Sequence, residues 1–284
     1  MSVSATRLRI VGDREQYLQH LRPIGLGARA AGWILTDQGP DITLVASTRD
    51  LFANPGAVYM DHGVGLQWHG DRTIENIALN ASRVLAPNEF LRQRYVANGI
   101  ATEIIGTPKL DEMLKVPYRP DGPIAISFHW MSASRSQILI RYRDALEDLA
   151  GHVWLIGHGH PRAWFLLEPF WRSIGVEPVQ SFDEVLERAS IYVCDHSSTL
   201  YEWAALDRRV VLLDHPGQQA LIRISSGLRY QHFADIGPHA TPDTLWEAIA
   251  EPDRAMAARR EATAALFPYL GAAVPRTLEV LRGR

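Results

Sequence analysis

Short apolar runs rich in β-branched residues alternate with helical patterns along the whole chain. Each run is followed by turn residues and then by apolar positions at helical spacing, which is typical of the strand, helix, strand units of a parallel sheet. The predicted strands span residues 8–11, 42–46, 57–61, 83–86 and 103–105 in the first half, and 124–128, 153–157, 191–195 and 210–214 in the second. The pattern therefore predicts an α/β fold.

One proline-rich segment interrupts this alternation. Residues 115–123, KVPYRPDGP, contain three prolines and a glycine, which is typical of a linker between domains. The strand pattern starts again directly after this segment. We therefore expect two Rossmann-like domains that face each other across a cleft, the first spanning residues 1–114 and the second beginning at residue 115.

Length and charge limit the class of protein. With 284 residues, a formal net charge of −3 and a single cysteine, the chain is expected to be cytoplasmic, without an internal disulfide and without a nucleic-acid partner. Its first residues lack the apolar core of a signal peptide, and no apolar run of about eighteen residues could span a membrane. Arg259 and Arg260 either contact anionic lipid or line an exposed helix face, so we expect at most peripheral contact with the inner face of the membrane.

Polar residues collect where the predicted strands end. These clusters are Asp61-His62-Gly63, His158-Gly159-His160-Pro161, Asp195-His196-Ser197-Ser198 and Asp214-His215-Pro216. In open α/β sheets, ligands bind outside the carboxyl ends of the strands. A single histidine in a loop is usually only hydrogen-bonded or solvated, but several clusters at the same kind of position predict a functional edge.

The stretch CDHSSTLYEW, residues 194–203, places hydroxyl side chains at a predicted helix start. The first amides of a helix lack partners and lie at the positive end of its dipole, which favours a bound phosphate. Ser197 and Ser198 would add hydroxyl donors there, and Glu202, one turn further on, suits the two hydroxyls of a ribose. The alternative interpretation is that Ser197 only caps the helix and Glu202 is a surface residue.

Several of these motifs occur together in one known family. The chain combines His62-Gly63, G-x-P-K-x-D at residues 106–111, His160-Pro161, and D-x-S-S-x-x-x-E at residues 195–202 followed by VVLLD. In this combination it resembles the CDP-glycerol glycerophosphotransferases of teichoic-acid and capsule synthesis and, more broadly, the GT-B glycosyltransferase architecture. The resemblance covers roughly residues 57–284. It implies a donor domain at residues 115–267 and, at residues 268–284, a closing helix that crosses back to the first domain.

The resemblance also implies roles for individual residues. His62 matches the catalytic base of the family, and His160 matches the second catalytic histidine, near the donor diphosphate. The other implied groups are the diphosphate-binding Ser197, Ser198, Thr199 and His158, the ribose-binding Glu202, and the acceptor-side or cleft residues Asp61, Gly63, Lys109, His129 and Arg135. The sequence departs from the family at His158, where a lysine is usual, and at Lys109, where an arginine is usual. The segment after the strand at 124–128 is also atypical, since it carries His129, Trp130 and Arg135 where the family tends to have a threonine, a tryptophan and an arginine.

The expected function is a metal-independent transferase without a cofactor. It would move a glycerophosphate or glycosyl group from a nucleotide-diphosphate donor to a hydroxyl acceptor, lipid-linked or not, in cell-surface polymer or glycoconjugate synthesis. Two alternatives remain open at this point. His158 and His160, two positions apart on an extended strand, could belong to a metal-dependent hydrolase, and a non-catalytic carbohydrate-binding or nucleotide-binding protein would also suit the pattern.

Overall fold

The computed structural model describes residues 5–12, 14–62, 71–130, 133, 137–195, 197–214 and 234–283. The chain divides into two compact units. Unit 1 comprises Met1–Lys115 together with Ala264–Arg284, and unit 2 comprises Val116–Thr263. Gly63 and Arg135, which the sequence predicts as site residues, lie outside the described residues, as do His196 and His215. The predicted domain boundaries at 114/115 and 267/268 stay predictions.

Unit 1 is built on a parallel sheet of six strands in the order β2-β1-β3-β4-β5-β6. The strands are β1 (Arg7–Val11), β2 (Ile34–Leu35), β3 (Ile42–Val45), β4 (Val58–Met60), β5 (Arg83–Ala86) and β6 (Thr102–Ile104). The helices of this unit are α1 (Glu15–Ala30), α2 (Thr48–Ala53), α3 (Asp71–Asn80), α4 (Glu89–Val96), α5 (Pro108–Met113) and α12 (Ala273–Arg282).

Unit 2 contains a second parallel sheet of six strands, in the order β12-β11-β10-β7-β8-β9. The strands are β7 (Ile124–Phe128), β8 (Leu155–Gly159), β9 (Glu177–Pro178), β10 (Ile191–Cys194), β11 (Val210–Leu213) and β12 (His239–Ala240). Its helices are α6 (Ile138–Ala150), α7 (Trp164–Ser173), α8 (Phe182–Arg188), α9 (Ser198–Ala205) and α10 (Leu245–Ala250), and α11 (Met256–Leu266) runs through the boundary between the units.

All nine predicted strands are present, and the predicted α/β fold class is confirmed. Three two-residue strands, β2, β9 and β12, lie at sheet edges and were too short to leave a pattern in the sequence. The prediction was wrong at β8, which the sequence placed at residues 153–157. Because β8 extends through Gly159, His158 lies inside the strand and does not follow it.

The glycines of β8 explain this error. A Cβ on Gly157 would lie 2.2 Å from Cδ2 of Trp171, and one on Gly159 would lie 2.3 Å from Cδ1 of Leu167. Both glycines let α7 pack closely against the sheet, where Trp171 stacks on Phe128 with 5.4 Å between ring centroids. They are strand residues that allow close packing, whereas the sequence suggested a turn.

The closing helix α12 packs within unit 1 against α1 and α5. Its close approach to α1 depends on Gly27, because a Cβ there would lie 2.4 Å from Cγ1 of Val274. The carboxylate of Asp111 accepts hydrogen bonds from the backbone N–H groups of Val274 at 2.8 Å and Ala273 at 3.3 Å. This side chain therefore satisfies two amides at the start of α12.

Arg259 is buried, although the sequence predicted that it lies on the surface. Only 1% of the residue is exposed, and its guanidinium donates to Asp253 and, at 3.2 Å, to the carbonyl of Ile236. The neighbouring Arg260 is exposed and forms an ion pair with Asp207 at 2.7 Å. The predicted surface pair therefore contains one buried structural arginine, so Arg259 cannot serve as a lipid contact.

Candidate functional site

The strand order of unit 2 reverses between β7 and β10. Counted within the unit, the order is 3-2-1-4-5-6, and an open sheet of this kind leaves a crevice outside the carboxyl ends of its first and fourth strands. His129 directly follows β7, and Asp195 directly follows β10. The backbone N–H of His129 donates to Oδ1 of Asp195 at 2.9 Å, and both residues are buried. A buried carboxylate therefore ties the two strand ends together at the crevice.

Helix α9 begins at this edge, as the sequence predicted. Ser197 is its N-cap in an extended conformation, and Oγ of Ser197 accepts from the backbone N–H of Thr199 at 3.3 Å. Ser197, Ser198 and Thr199 are all partly exposed. The arrangement places hydroxyls and helix amides together at the switch point of the sheet. We call His129, His160, Asp195 and residues 197–199 the switch-point cluster.

His160 joins this cluster from the end of β8. Its backbone N–H donates to the carbonyl of Phe128 at 3.1 Å, and its ring lies 5.5 Å from the ring of His129. Nδ1 of His160 accepts from the backbone N–H of Arg162 at 3.1 Å. Burial, and then the Arg162 cation, lower the pKa of His160 to about 4. At neutral pH the ring is therefore neutral, with its proton on Nε2.

Two predicted donor-binding residues are buried within unit 2. His158 is 5% exposed, its Nδ1 lies 3.0 Å from Oγ of Ser127, and its ring packs against Phe182. Glu202 is 2% exposed, four residues beyond Ser198 on α9. It is therefore not the surface residue of the alternative interpretation. That His158 contacts the diphosphate and Glu202 the ribose stays a prediction.

In unit 1, Asp61 and His62 follow β4. Asp61 is buried, and its Oδ2 accepts from the hydroxyl of Tyr95 at 2.7 Å. The ring of His62 meets the ring of Tyr17 edge-on at 4.8 Å and lies 5.5 Å from the ring of His20. We call these five residues the unit 1 histidine cluster.

His20 and Tyr17 are site neighbours that the sequence prediction missed. Both lie on α1, on the face that also carries the buried Leu21 and Ile24. Burial, followed by the Lys109 cation and His62, lowers the pKa of His20 well below its usual value. Lys109 itself is 8% exposed, on α5, which packs against α1. The available signal was a histidine at an apolar-face position of a helical pattern.

The motif G-x-P-K-x-D has mainly a packing role in the structure. Gly106 has φ +76°, and a Cβ there would lie 2.2 Å from the carbonyl oxygen of Pro268. Pro108 begins α5, and Asp111 holds the start of α12. Two motif residues, Gly106 and Asp111, therefore fix the returning C-terminal segment, and Lys109 is the motif residue beside the unit 1 histidine cluster.

Two further searches concern only the described residues. Among them, no three histidine, cysteine, aspartate or glutamate side chains are grouped so that they could hold a metal ion together. Within the same part of the chain, no helix is long and apolar enough to cross a membrane.

Comparisons with known proteins find structures of similar fold but no match in sequence. No protein-family model and no curated protein sequence matches the chain. The wall teichoic acid polymerase TagF has a TM-score of 0.60 at 12% identity, with 98% of this chain and 90% of that chain covered. MnaA from S. aureus with UDP has a TM-score of 0.61 at 12% identity, covering 98% and 96%. A UDP-N-acetylglucosamine 2-epimerase from Listeria monocytogenes has a TM-score of 0.59 at 12% identity, covering 99% and 96%.

These likenesses extend over nearly the whole chain at low sequence identity. They agree with two consecutive parallel α/β sheets, each with its own helices. The predicted type of fold is therefore confirmed, whereas membership of the GT-B superfamily stays a prediction. The finer resemblance to CDP-glycerol glycerophosphotransferases stays a prediction.

Proposed function

We propose that the chain is a transferase that binds a nucleotide-diphosphate donor in unit 2 and passes a glycerophosphate or glycosyl group to a hydroxyl acceptor. The observation that carries this proposal is the start of α9 at the switch point, where Ser197, Ser198 and Thr199 stand beside the ends of β7 and β10. Hydroxyls, helix amides and the helix dipole together favour a diphosphate. Two proteins of the same fold agree with such a ligand, since one TagF structure was soaked with CDPG and the MnaA structure contains UDP.

The switch-point cluster would stabilise the leaving phosphate. His160 is neutral at pH 7, and its Nε2–H can donate to a phosphate oxygen, because Nδ1 is already occupied by the amide of Arg162. Donors that are fixed before the reaction cost little reorganisation as negative charge develops. In the proposed reaction these groups act without a metal ion or cofactor, and Glu202 binds the ribose.

The unit 1 histidine cluster would supply the base. An acceptor hydroxyl gives its proton to His62 as its oxygen attacks the donor. The Tyr95 hydroxyl holds the Asp61 carboxylate next to this histidine. The edge of the Tyr17 ring packs against His62 and limits how its imidazole can turn.

Two classes of nucleotide-diphosphate donor fit the same arrangement of residues. With a CDP-glycerol-like donor, the acceptor oxygen forms a bond to phosphorus, the bond to the bridging oxygen breaks, and the nucleoside monophosphate leaves. With a nucleotide sugar, the acceptor attacks the anomeric carbon, and the nucleoside diphosphate leaves. Either product would belong to a cell-surface polymer or glycoconjugate, made in the cytoplasm or at the inner face of the membrane.

A thermal-shift screen tests the donor site. The probes are CDP, CMP, UDP and GDP with their glycerol or sugar conjugates, with and without Mg²⁺. We expect one base to raise the melting temperature, and Ser198→Ala and Glu202→Gln to reduce that rise. Ser173→Ala is the matched control, because its hydroxyl donates to the carbonyl of Phe170 on α7. If none of these nucleotides stabilises the protein, the proposed donor site is wrong.

A further inference from the structure

A buried tyrosine lies behind the hydroxyls of the switch-point cluster. Tyr192, on β10, has no exposed surface, and its ring stacks on Trp203 at 5.5 Å. Its hydroxyl lies 2.9 Å from Oγ1 of Thr199, and Oγ1 of Thr199 donates to Oγ of Ser197 at 2.8 Å. A chain of hydroxyl groups therefore runs from the sheet interior to the start of α9.

The protons in this chain can be assigned because each hydroxyl carries one. Thr199 gives its proton to Ser197, so the 2.9 Å contact between Tyr192 and Thr199 requires the tyrosine to donate. Burial raises the pKa of Tyr192 well above its usual value, so the phenol keeps this proton across the physiological range.

These contacts leave Ser197 able to form only one further kind of hydrogen bond. Its Oγ accepts from the backbone N–H of Thr199 at 3.3 Å and from the hydroxyl of Thr199 at 2.8 Å. A serine oxygen has two lone pairs, and both are occupied by these contacts. Any further hydrogen bond of Ser197 must therefore be one that it donates.

We propose that Tyr192 is a positioning residue that acts through Thr199 and fixes Ser197 as a hydrogen-bond donor. The start of α9 then favours ligand groups that accept hydrogen bonds, above all the unprotonated oxygens of a diphosphate, and disfavours groups that can only donate. This inference rests on the proposed function, since it assigns a binding preference to the same donor site.

Titration calorimetry on the intact chain tests the inference. The probes are CDP, UDP and GDP, each compared with its free nucleoside. Tyr192→Phe removes the donating hydroxyl but keeps the ring, and Thr199→Val removes the relay but keeps the side-chain shape. We expect both variants to weaken the binding of the preferred diphosphate about three- to tenfold, the size of one net hydrogen bond, and to leave nucleoside binding unchanged.

Three controls separate positioning from a general structural effect. Thr199→Ser keeps the relay hydroxyl and should bind like the wild type. Tyr118→Phe removes a tyrosine hydroxyl that donates to the carbonyl of Ser190, before β10, and should not change the affinity. Because Tyr192 and Thr199 act in series, the double variant should bind no more weakly than the weaker single variant.

The possible failures are distinguishable. If the wild type binds none of the three diphosphates, the proposed function fails, and this inference fails with it. If the wild type binds one and Ser197→Ala weakens that binding while Tyr192→Phe does not, only the inference fails. Equal losses for the diphosphate and the nucleoside, or a Thr199→Val variant with wild-type affinity, would also overturn it.

Discussion

The two candidate regions of the molecule use different chemistry. The unit 1 histidine cluster brings together two imidazoles and a carboxylate, those of His20, His62 and Asp61, packed with tyrosine rings. At the switch-point cluster, the start of α9 presents hydroxyls and amides, the amide and hydroxyl of Thr199 both donate to Ser197, and the nearby His160 is neutral at pH 7. The first environment suits proton transfer, and the second suits the holding of negative charge.

The regions also differ in where they lie on their sheets. The switch-point cluster occupies the point at which the strand order of unit 2 reverses. In unit 1 the order reverses between β1 and β3, but Asp61 and His62 follow β4, the next strand along. The histidine cluster is completed by α1, which brings His20 and Tyr17 to His62. Topology therefore points to the site of unit 2, whereas helix packing assembles the site of unit 1.

The largest expected effect comes from removing the proposed base. In His62→Ala, the turnover of whichever nucleotide conjugate stabilises the wild type should fall about 10²- to 10⁴-fold, because general base catalysis contributes this much. The affinity for that nucleotide should not change, since its proposed site lies in unit 2. Steady-state kinetics and calorimetry on the same preparation measure the two quantities.

His152→Ala is the matched control for this variant. His152 is exposed in unit 2, where Nδ1 lies 2.8 Å from the carbonyl of Asp148, and its removal should change neither quantity. A His62→Ala variant with normal turnover would show that the unit 1 histidine cluster does not supply the catalytic base. A non-catalytic binding protein would then be favoured.

A smaller effect is expected at the packing motif of unit 1. Asp111→Ala leaves two amides at the start of α12 without an acceptor and should lower the free energy of unfolding of unit 1 by about 1–2 kcal/mol. Hydrogen exchange should speed up in α12 and remain unchanged in α9, because the lost contacts lie in unit 1. The variant would therefore show that this contact stabilises only unit 1.

Glu112→Ala provides the comparison for Asp111→Ala. Glu112 is exposed and pairs only with Lys115 in the described contacts, so exchange in α12 should stay at the wild-type rate. Faster exchange in α9 after Asp111→Ala would show that the returning segment stabilises both units and would remove this distinction between them.

The elements that the sequence predicted well are those whose local pattern agrees with their environment. The residues 83–86 and 124–128 form β5 and β7 as predicted, because buried parallel strands are continuously apolar. Asn88 caps α4 by accepting from the backbone N–H of Leu91 at 3.2 Å. The start of α9 at Ser198 was predictable for the same reason, since a hydroxyl cap follows an apolar strand.

The errors arose where distant residues decide the outcome. The glycines of β8 are fixed by Trp171 and Leu167, which lie on another element. Arg259 is buried by its contacts with Asp253 and with the carbonyl of Ile236. Neither effect leaves a local signal. His20 joins its cluster only because α1 brings its ring to 5.5 Å from the ring of His62, so the sequence predicted the functional edge but not all of its members.

The smallest expected effect concerns the protonation of His160 in unit 2. Its pKa is lowered to about 4 in the folded chain, against about 6.5 for an unfolded histidine. Between these values the unfolded chain binds a proton that the folded chain does not, so stability should rise with pH from 4 to 6.5 and level off above. Relative to His160→Asn, whose Oδ1 can still accept from the Arg162 amide but does not titrate, the wild type should lose roughly 1 kcal/mol over this window as the pH falls. Urea unfolding at several pH values measures this difference. A constant difference between the two proteins would mean that His160 has the same pKa, about 6.5, in the folded and the unfolded chain. The ring would then be partly protonated near neutral pH and could hold a phosphate by charge, which would weaken the contrast with unit 1.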